Sequence, residues 1–245
     1  AAISAKPSTA TVIGGGFIGV EMAENLVHQG IRTSIIEATH QILSPLDPEM
    51  ARLVRDEMVN KGVNVKLGVS VSRIEKNSVF LSDGSSISSD IVILAIGVTP
   101  ESKLAKEAGL KIGKRGGIVV DDNNLTSDRS IYALGDAVEK VDALDESATL
   151  VPLANIANRH GRVIADHING RTTRKVRTIG TAIVKVFDLA VATTGWNEKR
   201  LKAANIKHRA IHTHPGSHAG YYPGAEMMAL KLLINPDTGE IYGAQ

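Results

Sequence analysis

The apolar positions of this chain change period several times, and each change marks a structural element. Ala10-Thr11-Val12-Ile13 is a short apolar run that predicts a strand, and a glycine-rich turn ends it. From Ile18 to Gln29 the pattern is that of one helical face, and Gly30 supplies the stop. Arg32 to Glu37 is again short, apolar and rich in β-branched residues, so it predicts a second strand parallel to the first and a βαβ opening. Asp47-Pro48-Glu49 reads as an N-cap followed by proline at the first helical position, and the periodic stretch to Lys61 ends at Gly62.

Beyond Val63 the period shortens to that of alternating strands, with turn residues at Lys76-Asn77 and Ser82-Asp83-Gly84-Ser85. The run Ile91 to Ile96 predicts a buried strand returning to the core. A short helix then ends at Gly109, and Gly116-Gly117 turns the chain into Ile118-Val119-Val120, so a compact domain is expected to close near Asp122. Ser130–Leu134 predicts one strand and Leu153–Ile168 a helix. Strands near Thr181–Val186 and Ala229–Leu233 flank a helix over Glu198–Ala204, while Ile241 to Gln245 shows no closing element.

Composition narrows the class. Of the 245 residues 43% are hydrophobic and 22% charged, enough for one large core or two modest ones. Lys and Arg number 28 against 26 Asp and Glu, and a net charge of +2 with interspersed signs gives nucleic acid or an anionic membrane no purchase. No run approaches the roughly 18 apolar residues of a membrane span, and the start lacks the three regions of a signal peptide, so the cytoplasm is the expected location. There is no cysteine, which removes disulfides, thiolate metal sites and redox thiols from this chain. His212, His214 and His218 lie beside Pro215 and Gly216 without accompanying acids, and no metal is expected there.

The candidate chemistry begins at Gly14-Gly15-Gly16-Phe17-Ile18-Gly19, which follows a strand and opens a helix. Gly14 permits the tight turn, Gly16 lets backbone approach a pyrophosphate, Gly19 allows close packing, and the helix N-terminus faces the anion. Glu37 stands 18 positions beyond Gly19, where an acid can accept from both ribose hydroxyls. Ala38, Thr39 and His40 offer no Arg or Lys for a 2′-phosphate, so NADH is favoured over NADPH. Glu21 is either a solvated first-turn acid complementing the helix dipole or a group near the nicotinamide. Further along, Thr126 to Asp136 places a short apolar strand before Gly135-Asp136, whose acid can accept from a sugar-like hydroxyl or merely belong to a turn.

With this second motif the sequence resembles the flavoprotein pyridine nucleotide-disulfide oxidoreductases. The resemblance implies that Asp136 is an FAD ligand and that Gly97, in Ala95-Ile96-Gly97-Val98-Thr99-Pro100, marks the crossover between domains. It also implies that Pro152-Leu153-Ala154 opens a helix facing the flavin. Ser217-His218-Ala219-Gly220-Tyr221-Tyr222-Pro223-Gly224-Ala225 is similar to the stretch in which coenzyme A-disulfide reductases, close to persulfide reductases and NADH oxidases, carry an active-site tyrosine. That tyrosine matches Tyr221, which either hydrogen-bonds a leaving thiolate in the partner subunit's site or packs with Tyr222. Trp196 is expected at a strand-to-helix corner, and Lys185 and Phe187 lie on a strand able to face the flavin.

The implied fold is α/β: a linker over 1–10, then a Rossmann-like NAD-binding domain over 11–122, three-layered with a parallel sheet and an antiparallel meander. Part of an FAD domain follows over 123–172, and a truncated α+β interface domain over 173–245. The implied function is flavin-dependent NADH:disulfide reduction of a small, possibly coenzyme A-linked, disulfide or persulfide by a homodimer. An NADH oxidase and a non-catalytic NADH-binding redox module are the alternatives. The resembled enzymes also carry an N-terminal FAD half with the redox cysteine and a further C-terminal tyrosine, none of which is in this sequence. It therefore reads as part of a longer enzyme, expected to bind NADH and to hold FAD weakly.

Overall fold

A computed structural model describes residues 7–173 and 177–245. The first six residues, most of the expected linker and the stretch read for a signal peptide, lie outside the described residues. By contact the chain forms two compact units, one made of the chain up to Gly97 together with Ile183–Gln245, the other of Val98–Ala182.

The first unit opens with β1 (Thr9–Ile13), α1 (Phe17–His28) and β2 (Arg32–Glu37), the predicted βαβ. β1 and β2 pair in parallel from Thr9 with Arg32 to Ile13 with Ile36. α1 ends as the glycine signal requires: Gly30 N–H returns to Val27 O and Ile31 N–H to Leu26 O. α2 (Pro48–Asn60) and β3 (Asn64–Leu67) follow. An antiparallel meander of β4 (Val71–Glu75), β5 (Ser78–Leu81) and β6 (Ser86–Ser88) leads to β7 (Ile91–Leu94). The main sheet has the order β3-β2-β1-β7 and is parallel throughout. β7 thus closes an edge among the described residues, with Leu94 and Ile96 exposed, which corrects the expectation of a buried run. Among the described residues its outer edge has no strand partner, which leaves a row of backbone N–H and C=O groups unpaired by a ladder.

The second unit contains α3 (Lys103–Glu107), the short ribbon of β8 (Lys140–Val141) and β9 (Ala148–Thr149), and the 15-residue α4 (Ala154–Ile168). The predicted strand over Ser130–Leu134 is absent as a ladder here, and the apolar run after Gly117 forms none either. Ile118-Val119-Val120 makes single bridges from Ile118, and Ser130–Leu134 makes one, Leu125 with Tyr132. An apolar stretch becomes a strand only where a neighbour supplies a continuous ladder.

The chain then rejoins the first unit. β10 (Ala182–Val186), β11 (Leu189–Gly195), α5 (Glu198–Ala203), β12 (Arg209–Thr213), β13 (Leu230–Ile234) and β14 (Ile241–Ala244) form a five-stranded sheet of order β10-β11-β14-β13-β12. β14 lies inside that sheet, between β11 and β13, so Ile241–Ala244 is a strand. A Cβ on Gly243 would lie 2.1 Å from Trp196 O, so the glycine that weakens the strand signal is the residue that lets it fit. Trp196 sits at the β11–α5 corner as expected, with the Arg200 guanidinium 3.7 Å above its ring. Phe187, by contrast, turns inward at the β10–β11 hairpin with φ 51, and its ring meets His28 edge-on. Phe187 and Val186 join the buried cluster of Val12, Val20, Leu26 and Ile35.

A buried ion cluster ties this sheet to the start of α2. Lys231, fully buried on β13, places its ammonium 2.6 Å from Glu198 Oε2 and 3.0 Å from Asp47 Oδ2, and also bonds Glu49. Asp47 does not cap its own helix by side chain, as its position suggested. Its carboxylate instead accepts from Glu198 N, Lys199 N and Gln245 Nε2, at 3.0, 3.2 and 2.6 Å. Burial opposes the Lys231 charge, but its three carboxylates outweigh burial and raise its pKa above the ordinary 10.5. The Glu198 carboxyl is held at about 2, first by the hydrogen bond from Lys202 and then by that from Lys231.

The signs decide the pH window. The raised Lys231 contributes fully below about 10.5 and loses its contribution above that, whereas the depressed Glu198 contributes above its ordinary 4.5 and loses it as pH falls toward 2. Lys231→Met is expected to lower the unfolding free energy by about 3–5 kcal/mol at pH 7, because three carboxylates lose their cation. In urea titrations that gap should narrow steadily below pH 4.5 as the carboxylates take up protons.

Candidate functional site

The carboxyl ends of β1, β2 and β7 enclose a cleft of about 600 Å³ lined by Gly14, Gly16, Glu37, Ala38, Ser44 and Gly97 among others. The three glycines of the turn are required for different reasons. Gly14 has φ 107, and a Cβ there would lie 2.3 Å from Ala95 O. A Cβ on Gly19 would lie 1.9 Å from Gly14 O. Both therefore serve the packing of turn, helix and β7 against one another. Nothing lies within 4 Å of a Cβ built on Gly16, so its lack of a side chain answers to space in front of the helix.

α1 offers that space its backbone. Its first intrahelical bond runs from Val20 N–H to Gly16 O, which leaves the Phe17, Ile18 and Gly19 N–H groups directed out of the helix end. No acid occupies the first turn, so the positive end of the dipole is uncompensated. Glu21 is the fifth residue of α1 and exposed, beyond the first turn in which it was expected.

Glu37 is preorganised by its neighbours. Oε2 accepts from Gly15 N at 2.8 Å, and Oε1 accepts from both Thr39 N and Thr39 Oγ1 at 2.8 Å. Burial opposes its charge, but these donors prevail and hold the carboxyl below the ordinary 4.5. The carboxylate thus uses part of its accepting capacity on neighbouring backbone, and Oε2, with one donor against two on Oε1, is the freer oxygen. Sequence reasoning found the acid but missed Thr39. Its signal was a hydroxyl two residues after the acid, the spacing of a local side-chain bond.

The second unit carries the other motif. Gly135-Asp136-Ala137 forms a single 3-10 turn, and a Cβ on Gly135 would lie 3.6 Å from Ala157 Cβ, so the turn abuts α4 near its start. Asp136 is exposed. α4 begins after Pro152 and Leu153 at Ala154 with neither a side-chain cap nor a first-turn acid, leaving its positive end open. Lys140, another residue missed from sequence, is buried beneath the turn and donates to Gly135 O at 2.5 Å and Val138 O at 3.2 Å. Burial lowers its pKa, against the opposing charge of Asp136.

Tyr221 lies elsewhere, on the long connection between β12 and β13. That loop closes on itself through Ser217 N to Glu226 O and Met228 N to Pro215 O, both 2.8 Å. It presents Tyr221 at 84% exposure with its ring 4.9 Å from that of Tyr222. His212, on β12, contacts Glu49, whereas His218, on the loop, contacts Ser217. Among the described residues the acids that do converge are Asp47, Glu49 and Glu198, and the Lys231 ammonium bonds all three.

A profile for pyridine nucleotide-disulphide oxidoreductases matches residues 2–161, and one for the dimerisation domain of the same proteins matches 181–245. The chain belongs to the pyridine nucleotide-disulphide oxidoreductase family. It is a family of FAD-dependent enzymes that use NADH or NAD(P)H, in agreement with the resemblance noted from the motifs. An NADH oxidase of Methanocaldococcus jannaschii is 35% identical over 243 residues, covering 96% of this chain and 53% of the relative. The reduced CoADR-RHD protein of Bacillus anthracis superposes with a TM-score of 0.96 at 50% identity, covering 99% of this chain and 44% of that one. An NAD-dependent persulfide reductase from A. fulgidus also gives 0.96, at 37% identity, covering 100% of this chain and 46% of that one. The chain spans about half the length of the curated relatives it matches. No described helix is long and apolar enough to cross a membrane.

The glycine geometry separates binding from folding. Gly16→Val is expected to weaken NADH at least about tenfold while the unfolding free energy stays within about 1 kcal/mol of the original. Glu37→Ala is expected to weaken NADH about 10- to 100-fold. Gly14→Ala should instead lower stability, because its Cβ meets a backbone carbonyl. Isothermal titration and urea unfolding on the three variants check each outcome.

Proposed function

We propose that this chain is the nucleotide-binding and interface portion of a flavin-dependent NADH:disulfide oxidoreductase of the coenzyme A-disulfide or persulfide reductase type. The observation that carries the reading is the open backbone in front of Gly16, flanked by a Glu37 carboxylate already fastened to Gly15 and Thr39. The Gly16–Gly19 end of α1 binds the linked phosphates and Glu37 the adenosine ribose. A 2′-phosphate would meet that carboxylate with Ala38, Thr39 and His40 beside it and no cation among them, which favours NADH over NADPH. Gly97 lines the same cleft at the end of β7, where the chain leaves for the second unit. Glu21, exposed on α1, is accessible both to solvent and to a nicotinamide ring lying along the helix.

Bound FAD would supply the redox chemistry that links NADH oxidation to sulfur reduction. This chain's share is to hold it: Asp136 accepts from a hydroxyl of the sugar-like chain, and the open end of α4 at Pro152-Leu153-Ala154 favours negative charge on the ring system. The chain contains no cysteine, so the thiol that forms the mixed disulfide is supplied by residues outside it. Tyr221, exposed on a self-closed loop, is suited to donate a hydrogen bond to a leaving thiolate in a second subunit's site. By ligand, 11–122 serves NADH, 123–172 serves FAD, and 173–245 serves the subunit interface of a homodimer.

The test has two parts. Titrated with each nucleotide, this chain is expected to take up NADH and to bind NADPH at least about tenfold more weakly, the cost of about 1.4 kcal/mol of charge repulsion. A purified chain should show no strong flavin absorbance. In the full reading frame, coenzyme A disulfide or a persulfide should be reduced faster than oxygen. Preference for oxygen would make the enzyme an NADH oxidase, and no turnover with any acceptor would make it a binding module. Tyr221→Phe is expected to slow disulfide reduction without changing NADH affinity.

A further inference from the structure

The segment between β2 and α2 has no regular structure, yet it builds one wall of the cleft, to which Ala38 and Ser44 contribute. It also sets the glycine turn from behind. Leu43 N–H donates to Gly15 O at 2.8 Å, and Ile42 Cγ2 lies 2.7 Å from where a Cβ on Gly15 would stand. Gly15 N–H in turn donates to Glu37 Oε2. The position of residues 41–46 therefore reaches both the pyrophosphate turn and the ribose acid through two hydrogen bonds.

Within this segment Leu46 N–H donates to Leu43 O at 2.8 Å, and further restraint is supplied from outside it. Leu43 is fully buried with φ 47, a left-handed conformation that a leucine adopts only when its surroundings impose it. The restraint comes from α5. Lys199 Nζ donates to Leu46 O at 2.7 Å, Gln41 Oε1 at 2.9 Å and Ser44 O at 3.0 Å, which uses all three of its hydrogens. Asn197 Nδ2 adds Pro45 O at 3.1 Å, and Gln41 Nε2 closes the loop on Leu46 O at 3.0 Å. Lys199 does not line the cleft, and it belongs to the stretch matched by the dimerisation profile.

We infer that Lys199 is a positioning residue for the dinucleotide, gathering the carbonyls of the 41–46 segment so that Gly15 and Glu37 stand ready, and thereby coupling NADH affinity to the seating of α5. The inference rests on the NADH reading above and extends it to a residue outside the cleft. By linkage, bound NADH should in turn strengthen the hold of that segment on α5.

The full chain is compared with Lys199→Met, Lys199→Arg and Lys207→Met, the last removing an exposed cation of the same sheet domain that pairs with Asp237. Two readouts are taken: amide hydrogen exchange without ligand, and the NADH dissociation constant. In Lys199→Met, exchange at Gly15 and Leu43 should quicken at least about tenfold and NADH should bind about tenfold more weakly, while Val12 and Ile35 in the main sheet keep their rates. Lys199→Arg should recover most of both effects, and Lys207→Met should show neither. Unchanged exchange at Gly15 and Leu43 in Lys199→Met would overturn the inference. So would acceleration spread equally over Val12 and Ile35, the mark of a merely structural role. Failure of the unaltered chain to take up NADH would overturn the cofactor reading on which the inference rests, a result distinct from either.

Discussion

Three stretches of backbone meet at the carboxyl end of β1 with no room for a side chain between them, and the rest of the first unit is arranged around that meeting. The Gly14 Cα faces the carbonyl of Ala95 on the run out of β7, and Gly19 of α1 faces the carbonyl of Gly14. Strand, turn, helix and returning strand are thus held at distances that a single methyl group would break. Because the contact is backbone to backbone, it fixes where the N-terminus of α1 points. The open space before Gly16 is a consequence of this packing, and so is the direction of the N–H groups that border it.

Around this contact the polar groups are arranged in a chain of supports. Glu37 is fastened by Gly15 and Thr39, Gly15 by the 41–46 segment, and that segment by α5. At its far end Asp47 and Lys231 join α2, α5 and the five-stranded sheet in a buried ion cluster. Such a cluster is an expensive way to gain stability, since each charge is desolvated before it is paired. What it confers is register: one buried ammonium with three carboxylate partners tolerates little displacement. That suits a sheet domain whose helix α5 also holds a loop at the nucleotide cleft.

The second unit has a different character. Its flavin-type motif is a short turn against α4 and an open helix end, with Ile131 and Leu134 exposed beside them. The cleft of the first unit is walled by its own strands and loop, whereas Asp136 is exposed on a turn that rests on α4.

Much of this was legible in the amino-acid order. The βαβ opening, the helix stops at Gly30 and Gly62, the meander and the glycine–acid pairing around Glu37 all depend on residues near one another in the chain. Their signals, period and turn chemistry, are local. Tertiary structure decided what depends on distant partners. Ser130–Leu134 has strand composition but no ladder, while β14, with a glycine and an alanine among its four residues, is a strand because β11 and β13 flank it. Asp47 reads as a cap for α2 and instead accepts from the start of α5, 151 residues away. Lys231 alternates with leucines as a solvent-facing residue would, and is buried. Lys199 carries no motif at all. A charge shows its purpose only when folding brings its partners together, and no periodicity in the sequence encodes that meeting.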